Sequence, residues 1–231
     1  MPRMIFVAGP PHSGTTLTAT IIGVNDRCYL IRSETGAYFQ RNIATLRKPF
    51  IRKVASIESE FVVEKTPHHL FNIDKIREDF PDSKIVITIR NPLDIVASMQ
   101  KVYKDFNFSL YTCSDHLSAS ISAVKNNDVY LVEYENIVRN FDKTVSNMSD
   151  YIEIDFSDKM KNFHDHSPVW FEKAIGSNEH LTRRSEQMRQ PLFDGTGIWK
   201  DILDKDQVDQ VLFDCADKYQ KLTGKSLIND I

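Results

Sequence analysis

The hydrophobic positions along the chain form short continuous runs that alternate with stretches of helical spacing. Met4–Ala8 reads MIFVA, short and uninterrupted, as a strand buried on both faces should be. After the turn residues 9–14, Leu17, Ile21 and Ile22 recur at spacings of four and one, which predicts a helix with one buried face. Phe61-Val62-Val63 is a second run. It ends at Glu64-Lys65-Thr66-Pro67, where Pro67 suits the first position of a helix and Thr66 its cap. Leu70, Ile73, Ile76 and Phe80 follow at helical spacing, up to a turn at Pro81-Asp82-Ser83. Lys84–Ile89 (KIVITI) is the plainest strand, β-branched throughout after its lysine. It stops at Arg90-Asn91, and Pro92 opens a helix carrying Leu93, Ile95, Val96 and Met99.

A helix over 114–124, a fourth strand over Val129–Val132 and a helical stretch over 135–152 come next. Residues 157–190 are polar, and a loop follows over 191–200. The chain closes on a helix whose stripe is Val208, Val211, Leu212, Cys215, Tyr219 and Leu222, with Gly224 as its stop. Alternating strands and helices predict an α/β fold: a central, mainly parallel sheet flanked by helices, a P-loop-like three-layer sandwich in one domain over 1–231. In such sheets ligands bind beyond the carboxyl ends of the strands. Gly9, Glu64, Arg90 and Glu133 stand at or just after predicted strand ends, so the first loop, Lys65 and Arg90 should share one rim.

Composition narrows the picture. With 231 residues, 41% hydrophobic and 26% charged, the chain is globular rather than disordered. A formal net charge of −3 argues against bulk nucleic-acid binding. Cys28, Cys113 and Cys215 are widely spaced, which favours free thiols in a reducing compartment over a disulfide framework. No leader or membrane-length apolar stretch is visible, so a soluble, cytoplasmic chain without an anchor of its own is expected.

The densest chemistry lies in Gly9-Pro-Pro-His-Ser-Gly-Thr-Thr16. A strand, a turn with two glycines five apart and a helix start make a phosphate cradle, in which backbone N–H groups converge on an anion. Pro11, His12, Ser13, Gly14, Thr15 and Thr16 are the candidate phosphate-binding residues. The nucleotide-hydrolysing version of this loop carries Lys before its final Ser/Thr. Here that position is Thr15, so the lysine that reaches the β/γ-phosphates is missing.

Four segments stand in order: GPPHSGTTL at 9–17, EKTPHH at 64–69, KIVITIRNPLDIVASM at 84–99 and GTGIWKDIL at 195–203. Together they resemble the sulfotransferases that use 3′-phosphoadenosine 5′-phosphosulfate (PAPS), with local likeness to the glycan and tyrosylprotein branches. The resemblance implies PAPS as co-substrate, 3′-phosphoadenosine 5′-phosphate (PAP) as product and no metal. It assigns Arg90 and Ser98 to the 3′-phosphate, and Gly195, Gly197, Trp199 and Lys200 to the C-terminal cofactor loop. It makes Lys65 the residue that stabilises the bridging oxygen and leaving phosphate. Glu34, in DRCYLIRSETGA, resembles the catalytic glutamate of the tyrosylprotein enzymes, with His68 and His69 as rival bases. The implied acceptor carries a hydroxyl or amine: a glycan, a protein tyrosine or a small molecule, with EKTP tilting towards carbohydrate. Residues 35–57, 104–116 and 160–190 are the expected acceptor loops.

Two departures matter. His12 stands where the family mostly has Arg or Lys, and is expected to become imidazolium beside the cofactor's anion. Phe193-Asp194 replaces a basic pair, leaving Arg189, Arg184 or Lys200 as substitutes at the 3′-phosphate. The alternatives are a P-loop small-molecule kinase, or a non-catalytic PAP- or nucleotide-binding protein on the same scaffold.

Overall fold

A computed structural model describes residues 1–172 and 178–227. Five strands form one sheet: β1 (Arg3–Ala8), β2 (Cys28–Leu30), β3 (Phe61–Lys65), β4 (Lys84–Ile89) and β5 (Tyr130–Glu133). Their spatial order is β2-β3-β1-β4-β5, and every pairing is parallel. The helices are α1 (Thr15–Gly23), α2 (Ile43–Ala55), α3 (Ile73–Asp79), α4 (Pro92–Tyr103), α5 (Phe106–Asn126), α6 (Tyr134–Arg139), α7 (Phe141–Ile152), α8 (Asp158–Lys161), α9 (Phe163–His166), α10 (Glu179–Gln187) and α11 (Lys205–Thr223).

The side-chain period of two divides β1 between two cores. Met4, Phe6 and Ala8 join Phe50, Ile76, Ile95, Leu117, Val211 and Cys215 on one face. Ile5 and Val7 join Leu17, Ile21, Ile137, Met148 and Trp170 on the other. The five-stranded α/β sandwich thus has the expected layers.

Several boundaries differ from expectation. Cys28–Leu30 adds a strand that periodicity missed, because three residues on a sheet edge are too few to show alternation. Pro67 opens a 3₁₀ turn over Pro67–Asn72, and Thr66 does not cap it: its hydroxyl donates to Glu64 Oε1 at 2.6 Å. The helix expected over 114–124 is the second half of α5, which starts at Phe106 under the cap of Asp105. The stretch 135–152 breaks at Asn140 into α6 and α7. Of the expected acceptor loops, 43–55 and 106–116 are helical. Cys113 and Cys215, distant in sequence, are both buried in one core cluster, and the neighbouring Cys215, with burial, pushes the Cys113 thiol up.

The parallel sheet brings all five strand ends to one rim. The loop after β1 is tied down there by Ser13, whose hydroxyl donates to Pro10 O at 2.7 Å and lies 2.5 Å from Thr88 Oγ1 on β4. Gly9 faces the same threonine. Its φ is +136°, and a Cβ there would stand 2.4 Å from Thr88 O. Gly9→Ala should therefore cost about 3 kcal/mol, from left-handed strain plus the clash with fixed backbone. Urea unfolding measures this, and a loss below about 1 kcal/mol would mean that the loop relaxes away from β4.

Candidate active site

Sheet order fixes the order of side chains along the rim. Glu34 follows β2, Lys65 ends β3, the Gly9–Thr16 loop follows β1, Arg90 follows β4 and Tyr134 follows β5. In the loop, Gly14 caps α1 in the left-handed conformation (φ 97°). α1 has no side-chain cap and no acidic residue in its first turn. Its leading N–H groups therefore lack intrahelical partners, and the helix dipole adds positive potential. Thr15, Thr16 and Leu17 line a cavity of about 380 Å³, shared with His12, Arg90, Ser98, Lys101, Tyr134, Arg183, Arg184 and Gly195. Ser13 does not line it: its buried hydroxyl holds the loop's shape.

Arg90 joins the two halves of this cavity. Its guanidinium donates to His12 O at 3.1 Å and to Gly195 O at 2.5 Å, and lies over the Tyr134 ring at 4.5 Å. Its Nε is buried without a partner. Tyr134 Oη accepts from Gly195 N at 3.1 Å, and a Cβ on Gly195 would stand 2.9 Å from that oxygen. Of the expected C-terminal cofactor residues, only Gly195 reaches the cavity. Gly197 N and Trp199 N donate to the buried carboxylate of Asp94 at 2.9 and 3.2 Å. Trp199 packs in the core, and Lys200 Nζ lies 5.4 Å from its ring. Gly197 and Trp199 tie the loop to Asp94, and neither they nor Lys200 line the cavity.

Tyr134 and Asp94 escaped the sequence reading. Tyr134 could have been found, since it directly follows a strand end. Asp94 resembles any acidic residue in a helix's first turn.

His12 adopts positive φ (66°), uncommon for a residue with a side chain. Its Nδ1 lies 2.8 Å from Ser98 Oγ, its Nε2 is buried without a partner, and its ring stacks on His180 at 5.5 Å. Burial, then Arg184, His180 and Arg90, push its pKa well below the ordinary histidine value. In this arrangement burial and these cations disfavour the charged ring; the expected imidazolium belongs to the state with an anion bound beside it. The fixed cations at the cavity are Arg90, Lys101, Arg183 and Arg184.

Lys65 and Glu34 sit beyond the cavity, towards β2. Lys65 is fully buried, and its Nζ donates to Glu34 Oε1 at 2.6 Å. The ammonium lies 5.3 Å from the Trp170 ring and 5.0 Å from Phe171. Burial pulls Lys65 down to about 8, against the opposing pull of Glu34, while Arg184 lowers it further. Burial works to raise Glu34, but the charge and hydrogen bond of Lys65, with Arg184, hold it below the usual carboxylate value.

The two rival bases part company. Tyr38 N donates to His69 Nε2 at 3.1 Å, so the ring proton resides on Nδ1, 2.9 Å from Glu64 Oε2 but off the ideal hydrogen-bond direction. Both His69 nitrogens are committed inside the core. Glu64 Oε1 also accepts from Thr35 Oγ1 at 2.7 Å, so Glu64 and His69 together fix the segment carrying Glu34. His68 lies instead in an aromatic cluster, 4.8 Å from the Phe39 ring and 4.9 Å from His116, with its pKa lowered chiefly by burial.

Residues 28–158 match the family described as Sulfotransferase family, and the chain belongs to that family. The fold is similar to that of mouse sulfotransferase SULT7A1 complexed with PAP, at TM-score 0.63 and 17% identity, covering 95% of this chain and 84% of that one. The sulfotransferase domain from the Synechococcus PCC 7002 olefin synthase is similar at TM-score 0.58 and 14% identity, covering 92% and 94%. An uncharacterized protein of Aquifex aeolicus is 21% identical over 204 residues, 70% of this chain. The chain spans about a quarter of that relative's length (27%). Among the described residues, no helix is long and apolar enough to cross a membrane, and no group of three or more His, Cys, Asp or Glu is placed to hold a metal ion.

The Lys65–Glu34 contact makes a direct prediction. NMR of side-chain-labelled lysine should show one ammonium titrating near pH 8, and Glu34→Gln should lower that midpoint by removing the carboxylate that favours the charged form. A midpoint unmoved by Glu34→Gln would show that the pair does not form.

Proposed function

We propose that this chain is a PAPS-dependent sulfotransferase that moves a sulfuryl group from PAPS to a hydroxyl acceptor. One observation carries the reading. The cavity gathers Arg90, Lys101, Arg183, Arg184 and the uncapped start of α1, and no Asp or Glu lines it among the described residues. That charge suits a multiply anionic ligand. The buried, unpartnered Arg90 Nε and His12 Nε2 add donor or acceptor capacity that a ligand can use.

PAPS supplies a sulfuryl group already activated by its phosphate leaving group. In this reading the N–H groups at the start of α1 hold the 5′-phosphate, aided by the Thr15 and Thr16 hydroxyls. Each such charge-assisted bond is worth roughly 1.5–3 kcal/mol. Arg90 and Ser98 take the 3′-phosphate, where Arg90's planar fork suits two phosphate oxygens. His12 contributes its backbone and its ring. Gly195 forms the adenosine-side wall, held by Asp94 through Gly197 and Trp199.

Lys65 directs its ammonium at the bridging oxygen, where negative charge grows during transfer. It acts in its protonated form, so its contribution fades as pH rises through about 8. Glu34, ionised and 36% exposed at its side chain, receives the acceptor's proton. The acceptor class we favour is carbohydrate, on the Glu64–Pro67 segment; the exposed Phe71 and Tyr103 rings suit the apolar face of a sugar. The three free cysteines suit a cytoplasmic setting, and we read the described residues as one sulfotransferase domain.

Thermal denaturation with ligands, followed by transfer from labelled PAPS to acceptor panels, tests the reading. PAP at 100 times its Kd should stabilise by about 2.7 kcal/mol, while ATP with Mg²⁺ gives little. Label should pass to a glycan hydroxyl, and Lys65→Met should cut that rate about 10²–10³-fold. Stabilisation by ATP with Mg²⁺ but not PAP would point to a kinase. PAP binding without transfer to any sugar, phenol or amine would point to a binding protein.

A further inference from the structure

Arg184, on α10, reaches the Glu34–Lys65 pair. Its Nη1 lies 3.5 Å from Glu34 Oε1, the oxygen that Lys65 Nζ meets at 2.6 Å. Two cations therefore share one carboxylate oxygen. Both also face Phe171, with Lys65 Nζ at 5.0 Å and the Arg184 guanidinium at 5.8 Å from the ring. Arg184 Nη2 lies 3.0 Å from His180 Nε2, and His180 stacks on His12. Arg184 also lines the cavity that Gly14, Thr15 and Thr16 open into. It thus touches both the cavity of the Gly9–Thr16 loop and the Lys65–Glu34 pair.

The sequence offered Arg184 only as a substitute at the 3′-phosphate. Its partners are Glu34, His180 and Phe171, whereas Arg90 reaches His12 O and Gly195 O. Resting on the sulfotransferase reading above, we propose that Arg184 grips the transferring sulfuryl group, supplying the fixed positive charge that the loop lacks with histidine at position 12. A guanidinium suits the role: it stays charged at every working pH and offers several donors in one plane. One carboxylate also cannot neutralise two cations. The charge left over in this cluster is available to an anion, and burial strengthens the attraction.

The role makes a demand that a structural or 3′-phosphate role does not. PAP and PAPS share both phosphates and differ by the sulfuryl group, so Arg184 should discriminate between them. Calorimetric titration without acceptor should show Arg184→Gln weakening PAPS at least tenfold, about 1.4 kcal/mol, and PAP less than threefold. Arg184→Lys should restore part of the PAPS loss, because the charge returns without the fork. Equal weakening of both ligands would overturn the proposal in favour of a phosphate contact or a general structural role, and an unchanged PAPS affinity would overturn it outright. If Arg184→Gln lowers the Tm, the PAPS-to-PAP ratio for Arg184→Lys still decides. If the wild type binds neither ligand, the sulfotransferase reading itself falls, and this proposal with it.

Discussion

Positive charge crowded onto one rim is the constraint around which the rest of this molecule is arranged. A parallel sheet with β1 at its centre turns five strand ends the same way. The sequence then loads that rim with Lys65, Arg90 and the start of α1, and α10 adds Arg183 and Arg184 from outside. Like charges held this close repel, and burial removes the water that would screen them. The fold manages each cation separately. Arg90 is fed by two backbone carbonyls and an aromatic face, while Lys65 and Arg184 share Glu34. The compensation is partial, which leaves a site biased towards an anion.

The same economy explains the supporting residues. Ser13 and Thr88 clamp the loop to β4, so its backbone geometry is set before any ligand arrives. Asp94 does the same for the C-terminal loop through two N–H groups. Glu64 and His69 fix the segment after β2. None of these side chains lines the cavity, yet each sets the position of one that lines it or of the Lys65–Glu34 pair. Preorganisation of this kind is what the proposed transfer would need, because its catalysis would be mostly positioning and charge stabilisation.

The layered α/β fold was legible because buried parallel strands leave continuous apolar runs. MIFVA and KIVITI carry that signal almost unmixed. The edge strand Cys28–Leu30 was not legible, being short with Tyr29 exposed. The rim residues Lys65, Arg90 and the loop could be found from strand ends plus motif order. What the residues do was harder to read. Ser13, Trp199 and His69 were singled out in sequence for ligand chemistry, and the structure adds packing contacts for each that no local pattern shows, because a hydroxyl, an indole and an imidazole serve either use. For His12, sequence shows the neighbouring anion site but not the burial, the arginines and the second histidine that disfavour its charged form. Tyr134, Asp94 and the place of Arg184 depend on contacts across 61 to 150 residues, which no local pattern carries.

A crystal structure with PAP bound tests the account most directly. We expect the 5′-phosphate within hydrogen-bond distance of the N–H groups at the start of α1, and the 3′-phosphate against Arg90 and Ser98. The open end of the 5′-phosphate should face Lys65, Glu34 and Arg184. PAP bound in the opposite sense, with its 3′-phosphate at the start of α1, or bound outside this cavity, would contradict the account.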